Sequence, residues 1–498
     1  MNVLEAVGGW SGNPGPLYQR LAQAIAAAVS RGDLAPGTVL PPERGLAASL
    51  AVGRSTVVGA YDQLRSQGVL VSRRGSGTWV AGADRDAGSS GRGPDGRASA
   101  PAALPTAALD TSSVIIDLAT ARLPTATAVR EGIGALGGDL MDHLLERSGY
   151  SPMGLPELRT AVADRFTEEG LPTSVDQVLI TTGNQQALAL LTGLCLGPGD
   201  TALVEDPTSP GVLDLLRSMP VTLRSTRSLA GAGADPLIAA ITRNRPALTY
   251  LMTAGGPEGR VVRDTDLLHV GSALAGVDGV VVEDTSSRHL ALGPLPPYLA
   301  ARTASEQVVT IGSMSKVFWG GLRVGWIRAN ERLVQRLARA KVRADLGTPL
   351  LSQALSVWLL QRLQKVRDER ATELRVKLAA AVPVLAAHLP GFSWAEPQAG
   401  VTLWLRMPHG ASGPFAELAR RHGVAVVAGD SLSADGAGDG FVRVCFGLPP
   451  AVFTEGVRRL GRAWQDHDRT DRAGGATADE SFGVSVSAVR DYGVTLHG

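Results

Sequence analysis

A lysine in a loop of small residues is the first place where this chain offers chemistry. The run Gly312-Ser313-Met314-Ser315-Lys316 follows apolar Val308, Val309 and Ile311 and leads to Gly321-Leu322-Arg323-Val324-Gly325-Trp326. That pattern predicts a strand opening into a loop. An amine desolvated in such a loop loses its proton and attacks an aldehyde as a Schiff-base nucleophile. The hydroxyls of Ser313 and Ser315 and the guanidinium of Arg323 suit a phosphate beside it. The chain has four lysines, and the other three (Lys341, Lys365 and Lys377) lie in charged, helix-patterned stretches that read as solvated faces. Alone, Lys316 is most simply an ordinary loop lysine. The Ser-x-Ser before it and Gly-Leu-Arg after it reverse that reading.

Three further stretches carry chemistry. Thr181-Thr182-Gly183-Asn184-Gln185-Gln186 reads as a strand end, a glycine turn and a helix start. Free backbone N–H groups at such a helix start form an anion site. Glu283-Asp284 closes another apolar strand, and a carboxylate there pairs with a pyridinium nitrogen or serves as a helix cap. Phe441-Val442-Arg443 offers an arginine to a substrate or effector carboxylate, or else a plain surface arginine.

The elements that position these residues follow a β-α alternation. Short apolar strands are predicted at 178–181, 201–205, 248–252, 280–283, 308–311 and 324–327. Helices are predicted at 155–166, 185–194, 209–217, 265–275 and 331–343. The alternation implies an α/β body with a mainly parallel sheet covered by helices on both faces. Residues 349–389 are helical in pattern, and strands at 401–406, 424–427 and 441–445 suggest a small C-terminal α+β lobe. The body spans 114–468, and the polar, Gly-rich 469–498 reads as a frayed tail.

Residues 1–82 differ in character. They hold seven arginines against four acids, although the whole chain carries a formal charge of only +1. Apolar residues at Leu17, Leu21, Ala24, Ile25 and Ala28 predict one helix, and Glu43 to Leu50 a second. A third runs from Thr56 to Gln67, with Ser55 as its N-cap. Strands at 69–72 and 78–80 flank a tip containing Arg73, Arg74 and Gly75. This is a winged helix-turn-helix pattern. Its third helix must enter a major groove N-terminus first, so Arg54, Ser55 and Thr56 stand where base edges would be. Arg44 falls where the second helix crosses the backbone, and the wing arginines meet phosphates or the minor groove.

Residues 83–113 are Gly, Ser, Ala, Pro, Asp and Arg with almost no large apolar residue. Such a segment buries too little to fold and reads as a flexible linker. No stretch resembles a secretory signal or a membrane span, and Cys195 and Cys445 sit in apolar runs, as reduced buried thiols do. The expected location is the cytoplasm. No metal-ligand spacing occurs.

The N-terminal residues Leu40-Pro41-Pro42-Glu43-Arg44, Leu46-Ala47, Val52-Gly53-Arg54-Ser55-Thr56-Val57, Ala60-Tyr61 and Gly75-Ser76-Gly77-Thr78 closely resemble the GntR family of transcription regulators. The resemblance implies contacts to double-stranded DNA by Arg44, Arg54, Ser55, Thr56, Arg74 and Gly75. Some members place an arginine where this chain has Val58. The body resembles the fold-type-I aminotransferases over nearly its whole length, including Gly149-Tyr150-Ser151-Pro152-Met153-Gly154-Leu155-Pro156. The fusion resembles the MocR subfamily, whose members sense pyridoxal phosphate or an amino compound that reacts with it. That resemblance implies pyridoxal 5'-phosphate held covalently by Lys316, with Asp284 on its ring nitrogen. Around its phosphate it implies Ser313, Ser315, Arg323, Gly183, Asn184 and Gln185. It also implies a small-molecule effector and a homodimer, head-to-tail, with the pocket at the interface.

Three ring contacts usual in the family are absent. Pro207-Thr208-Ser209 lacks the stacking tyrosine, and Gly256-Pro257-Glu258-Gly259 lacks the asparagine for the ring hydroxyl. Thr285-Ser286-Ser287 lacks the tyrosine that follows the aspartate. A stacked ring contributes roughly 0.5–1.5 kcal/mol beyond its area, and a net hydrogen bond about 1 kcal/mol. Their loss weakens the cofactor without removing its covalent anchor. The body therefore reads as a sensor, with transamination as the alternative. A regulator that has lost the cofactor is a third reading.

Overall fold

A computed structural model of the chain describes residues 16–30, 33–34, 38–50, 52–66, 69–73, 77–80 and 115–480. The expected linker at 83–113 lies outside them, as do Arg74, Gly75 and the last residues of the expected tail, 481–498. The chain divides into two compact units, Met1–Arg92 and Gly93–Gly498.

In the first unit, helices Leu17–Ser30, Glu43–Leu50 and Arg54–Ser66 enclose a small core. Leu21, Ile25, Leu46, Val57, Tyr61 and Leu64 are buried in it, each at helical spacing on its own element. Burying such a side chain contributes roughly 1.5–3 kcal/mol. The Tyr61 hydroxyl donates to the Pro41 carbonyl at 2.9 Å, fixing the Pro-Pro turn. Strand Gly77–Val80 pairs with both Leu70–Arg73 and Val39–Leu40. The third helix starts one residue before the expected cap. Ser55 is helical and the first turn is Arg54-Ser55-Thr56.

In the second unit, a seven-stranded sheet runs in the order 178–181, 325–328, 308–313, 280–284, 248–252, 201–206, 222–227. Every neighbouring pair is parallel except those made by Gly325–Arg328, which is antiparallel to both its neighbours. The period of two in the strands explains the cover on both faces. Val204, Tyr250, Val282 and Val309 pack on the side of helices Asn184–Cys195 and Glu331–Asp345. Their sequence neighbours Leu203, Leu251, Val281 and Val308 pack on the opposite side against Leu237, Ile241, Leu267 and Val270. The edge strand Thr222–Arg227 was not expected. Its polar alternation, Arg224-Ser225-Thr226, suits a half-exposed edge and hides it from a hydrophobicity pattern.

The helical stretch after Pro349 is two helices, Leu350–Leu360 and Leu363–His388. The small lobe pairs Phe441–Cys445 with Thr402–Arg406 and Val427–Ala428, all antiparallel. Two expectations need correction. The last helix, Pro450–Glu480, passes the boundary expected at 468. Gly474-Gly475 lowers helix propensity by about 1 kcal/mol per glycine, which does not forbid a helix carried by Ala and Arg. Lys341 is fully buried and pairs with Asp345 at 2.6 Å. Lys377 is spent on the Gly447 carbonyl and Glu373, each at 2.6 Å. Only Lys365 is the solvated lysine expected of all three. Long aliphatic stems let Lys341 and Lys377 cross apolar surface to internal acceptors.

Candidate functional site

The chemistry gathers at the carboxyl ends of the central strands, where ligands of open α/β sheets bind. Asp284 ends the strand Val280–Asp284, and Ser313 ends its neighbour Val308–Ser313. The next turn carries Ser315 and Lys316, both partly buried. The Lys316 amine donates to Ser287 Oγ at 3.0 Å. Burial pulls its pKa below the ordinary lysine value; the nearby charge of Asp284 opposes that, and the charge of Arg443 adds to it. A lowered pKa raises the fraction of neutral amine, the nucleophilic form.

Asp284 is buried and held from three directions. Asn184 Nδ2 donates to Oδ1 at 2.9 Å, the Ser286 N–H donates to the same oxygen at 2.8 Å, and the Tyr250 hydroxyl donates to Oδ2 at 2.7 Å. Tyr250 pairs with Val282, two residues before Asp284, so the two side chains share a face. Burial, reinforced by the charge of Asp284, pushes the Tyr250 pKa well above its ordinary value, so the hydroxyl keeps its proton and donates. A carboxylate has about four acceptor positions, and three are taken.

The residues expected around a phosphate gather at the turn before helix Asn184–Cys195. Gly183 adopts φ +111°, and a Cβ there would lie 3.1 Å from Arg323 Nη2. Arg323, itself left-handed at φ +49°, donates to the Thr182 carbonyl at 2.7 Å and is otherwise exposed. The turn therefore brings Gly183, Arg323, Ser313 and Ser315 to one end of the sheet. Two of the expected phosphate residues use their side chains elsewhere. Asn184 reaches Asp284, and Gln185 donates to the Gly211 carbonyl at 3.0 Å. Their backbone N–H groups remain in the first helical turn.

Arg443 is not a surface arginine. It is 8% exposed, donates to the Ala119 carbonyl at 2.6 Å, and leaves its Nε buried without a partner. Burial brings its pKa down to about 10, so it stays charged at neutral pH. Asn184 Oδ1 is likewise buried and unpartnered. These two orphaned atoms, the amine of Lys316 and the open acceptor position on Asp284 form a set of two donors and two acceptors that fits pyridoxal phosphate with a carboxylate-bearing ligand.

Sequence reasoning missed Tyr250 and Ser287. A lone tyrosine in the apolar strand Leu248–Met252 was the available signal for the first. For Ser287 the sequence offers no signal beyond its place in Thr285-Ser286-Ser287. Gly255 makes room for it, since a Cβ there would lie 2.6 Å from Ser287 Cβ. The absent ring contacts are real gaps: Gly256 has no side chain, and Ser286 contributes only its N–H.

In the reader unit, Arg54 and Ser55 are exposed and Thr56 is partly buried on the first turn of the third helix. Arg54 Nη2 pairs with Glu43 Oε2 at 3.3 Å. Arg44 lies on the second helix, Glu43–Leu50.

Residues 140–460 match the aminotransferase class I and II family, and residues 17–80 match the bacterial regulatory proteins of the gntR family. The probable rhizopine catabolism regulatory protein MocR of Rhizobium meliloti is 29% identical over 68% of this chain and 70% of its own length. The chain is a GntR regulator of the MocR type. Its aminotransferase-like domain is 34% identical to a 2-aminoadipate transaminase of Thermus thermophilus, over 63% of this chain and 81% of that protein. It also superimposes on the crystal structure of LysN, the α-aminoadipate aminotransferase of the same organism, complexed with N-(5'-phosphopyridoxyl)-L-leucine. That match has a TM-score of 0.63 and 28% identity, covering 72% of this chain and 96% of LysN. The MocR-type regulator thus combines a DNA-binding domain with a fold whose relatives depend on pyridoxal phosphate. Among its described residues, no helix is long and apolar enough to cross a membrane.

Proposed function

We propose that this regulator senses pyridoxal 5'-phosphate, together with an amino-acid-like effector, in the pocket around Lys316, and that occupancy sets its affinity for operator DNA. The observation that carries the reading is the Lys316 amine, held by Ser287 and depressed in pKa, in the electrostatic field of both Asp284 and Arg443. Bound there, pyridoxal phosphate would supply an electron sink conjugated to the lysine nitrogen. Lys316 would hold the aldehyde carbon, and Asp284, fixed by Tyr250 and Asn184, would hold the ring nitrogen. Gly183, Asn184 and Gln185 offer backbone N–H groups to the phosphate, with Ser313, Ser315 and Arg323 beside them. Arg443 recognises the effector carboxylate through its unpartnered Nε.

The regulator acts as a homodimer in the cytoplasm, its pocket at the subunit interface. A ligand that prefers one arrangement of the lobes shifts the population toward it and so changes how two readers meet two half-sites. Arg54, Ser55 and Thr56 read bases; Arg44 and the wing residues Arg74 and Gly75 hold the backbone.

A second reading, a working aminotransferase, is favoured by the 34% identity to a transaminase. Gly256 and Ser209 weigh against it, because group transfer demands a ring held in one orientation. Incubation with amino donors and a keto acid separates the two, since turnover favours the enzyme. Gel shifts with DNA flanking the regulator's own gene test the reader. Arg54→Ala should weaken binding on the order of tenfold and relax sequence choice, as loss of one bidentate base contact does. Unchanged titrations would contradict the assignment.

A further inference from the structure

Helix Glu331–Asp345 carries Arg332, Arg336, Arg339 and Arg343 at spacings of four, three and four. That spacing places all four on one face of a helix. All are exposed, as are Gln335 and Val342, which complete the face. The acid at the helix end, Asp345, is engaged by buried Lys341 instead. None of the four arginines forms an ion pair or hydrogen bond among the described residues. Elsewhere in the body some helix arginines pair with an acid one turn away, as Arg165 does with Glu168, Arg370 with Glu373 and Arg458 with Glu455, and among the described residues exposed Arg130 and Arg243 stand singly without one. Four unpaired arginines on one face set the stripe apart. Beside it lies a cleft of about 1010 Å³ lined by Arg332 and Arg336, by exposed Arg245 across from them, and by one acid, Asp278.

We propose that this stripe is a second DNA surface, which grips the phosphate backbone of the duplex without reading its sequence. The inference rests on the reading of the chain as a DNA-binding regulator. The geometry suits the partner. At 1.5 Å rise per residue the four guanidinium groups span about 16 Å of helix axis, and a duplex offers one phosphate charge per roughly 1.7 Å. Arginine forms bidentate bonds to phosphate, and charged or amide side chains outnumber the single exposed apolar one, Val342, on this face. A second copy of the same stripe would repel it.

The test uses the full chain with Arg332, Arg336, Arg339 and Arg343 all changed to Gln, which keeps helix propensity. A control changes Arg224, Arg227, Arg420 and Arg421 to Gln, four exposed arginines of equal total charge. Duplex affinity is measured from low to high salt on operator and on scrambled DNA, with sedimentation of each protein. Each phosphate contact contributes about 0.9 to the log–log salt slope. The stripe variant should therefore be shallower than wild type by about 2 to 4 units on both duplexes. The control should move by less than one unit, and Arg54→Ala should lose operator preference with a nearly unchanged slope. A stripe slope equal to wild type or to the control overturns the proposal. So does a changed oligomeric state, which would make the face a subunit interface. Wild type without preference for operator would instead overturn the regulator reading, while its slope on scrambled DNA still decides the stripe.

Discussion

The two sides of the site around Lys316 are built to different standards. On the anchoring side, Lys316, Asp284 and Arg443 are each fixed by at least one hydrogen bond, and the latter two are buried. On the side that would grip the face and hydroxyl of a ring, the chain offers Ser209, Gly256 and Ser286. The Tyr250 hydroxyl is committed to Asp284. On the proposed reading, the charges and the amine for covalent capture are present while shape recognition is relaxed. A sensor tolerates this, because it must register a ligand and let it go. A catalyst of group transfer loses rate with every misplaced ångström.

The comparison is most easily broken at its strong side. Lys316→Ala should abolish the near-visible absorbance that forms on adding pyridoxal phosphate, leaving only weak, reversible binding by dialysis. Arg443→Gln should come next. Losing a buried charge that pairs with a carboxylate should weaken an amino-acid effector on the order of 100-fold in calorimetry, and should leave amines without a carboxylate unaffected. Equal loss for both ligand types would remove Arg443 from the effector site.

Beneath the weak side sits Glu205, buried and bonded to the N–H groups of Leu229 and Met252. Burial raises its pKa to about 7. A carboxyl whose folded pKa is raised stabilises the fold fully below its unfolded value, near 4.5, and that contribution is lost as pH rises through about 7. The body should therefore melt several degrees lower at pH 8 than at pH 5, and Glu205→Gln should flatten that dependence. Parallel curves for the two proteins would assign the pH dependence elsewhere.

The smallest effects sharpen the contrast. Gly256 lies at φ +66°, a conformation asparagine tolerates, and a Cβ there meets only the Met252 side chain, whose flexible end is nearest at 3.0 Å. Gly256→Asn should tighten cofactor binding by about fivefold, the worth of one net hydrogen bond. Tyr250→Phe should weaken it by a similar factor. Equilibrium dialysis reads both.

Much of this pocket was legible before any coordinates. Small residues around Lys316, a carboxylate at a strand end and a glycine before a helix are local patterns, and the sheet placed them at one edge. What the sequence concealed depends on neighbours in space. Tyr250 is recognisable as a partner of Asp284 only once the register of two strands is known. Asn184 sat in the expected loop, but its side chain crosses to another strand. The surface alternative for Arg443 fell because its strand is covered on the side that bears the guanidinium. Lys341 and Lys377 misled because a charged stretch with helical spacing does not reveal which turn faces inward. In the reader the helices, turn and wing follow one another along the chain, so almost all of that unit could be read in order.

The central claim is that Lys316 couples a small molecule to DNA binding. Operator affinity should be titrated with and without pyridoxal phosphate, for wild type and for Lys316→Ala. A shift of at least several-fold in wild type that vanishes in the variant is the predicted result. Equal shifts in both proteins, or none in wild type, would contradict it.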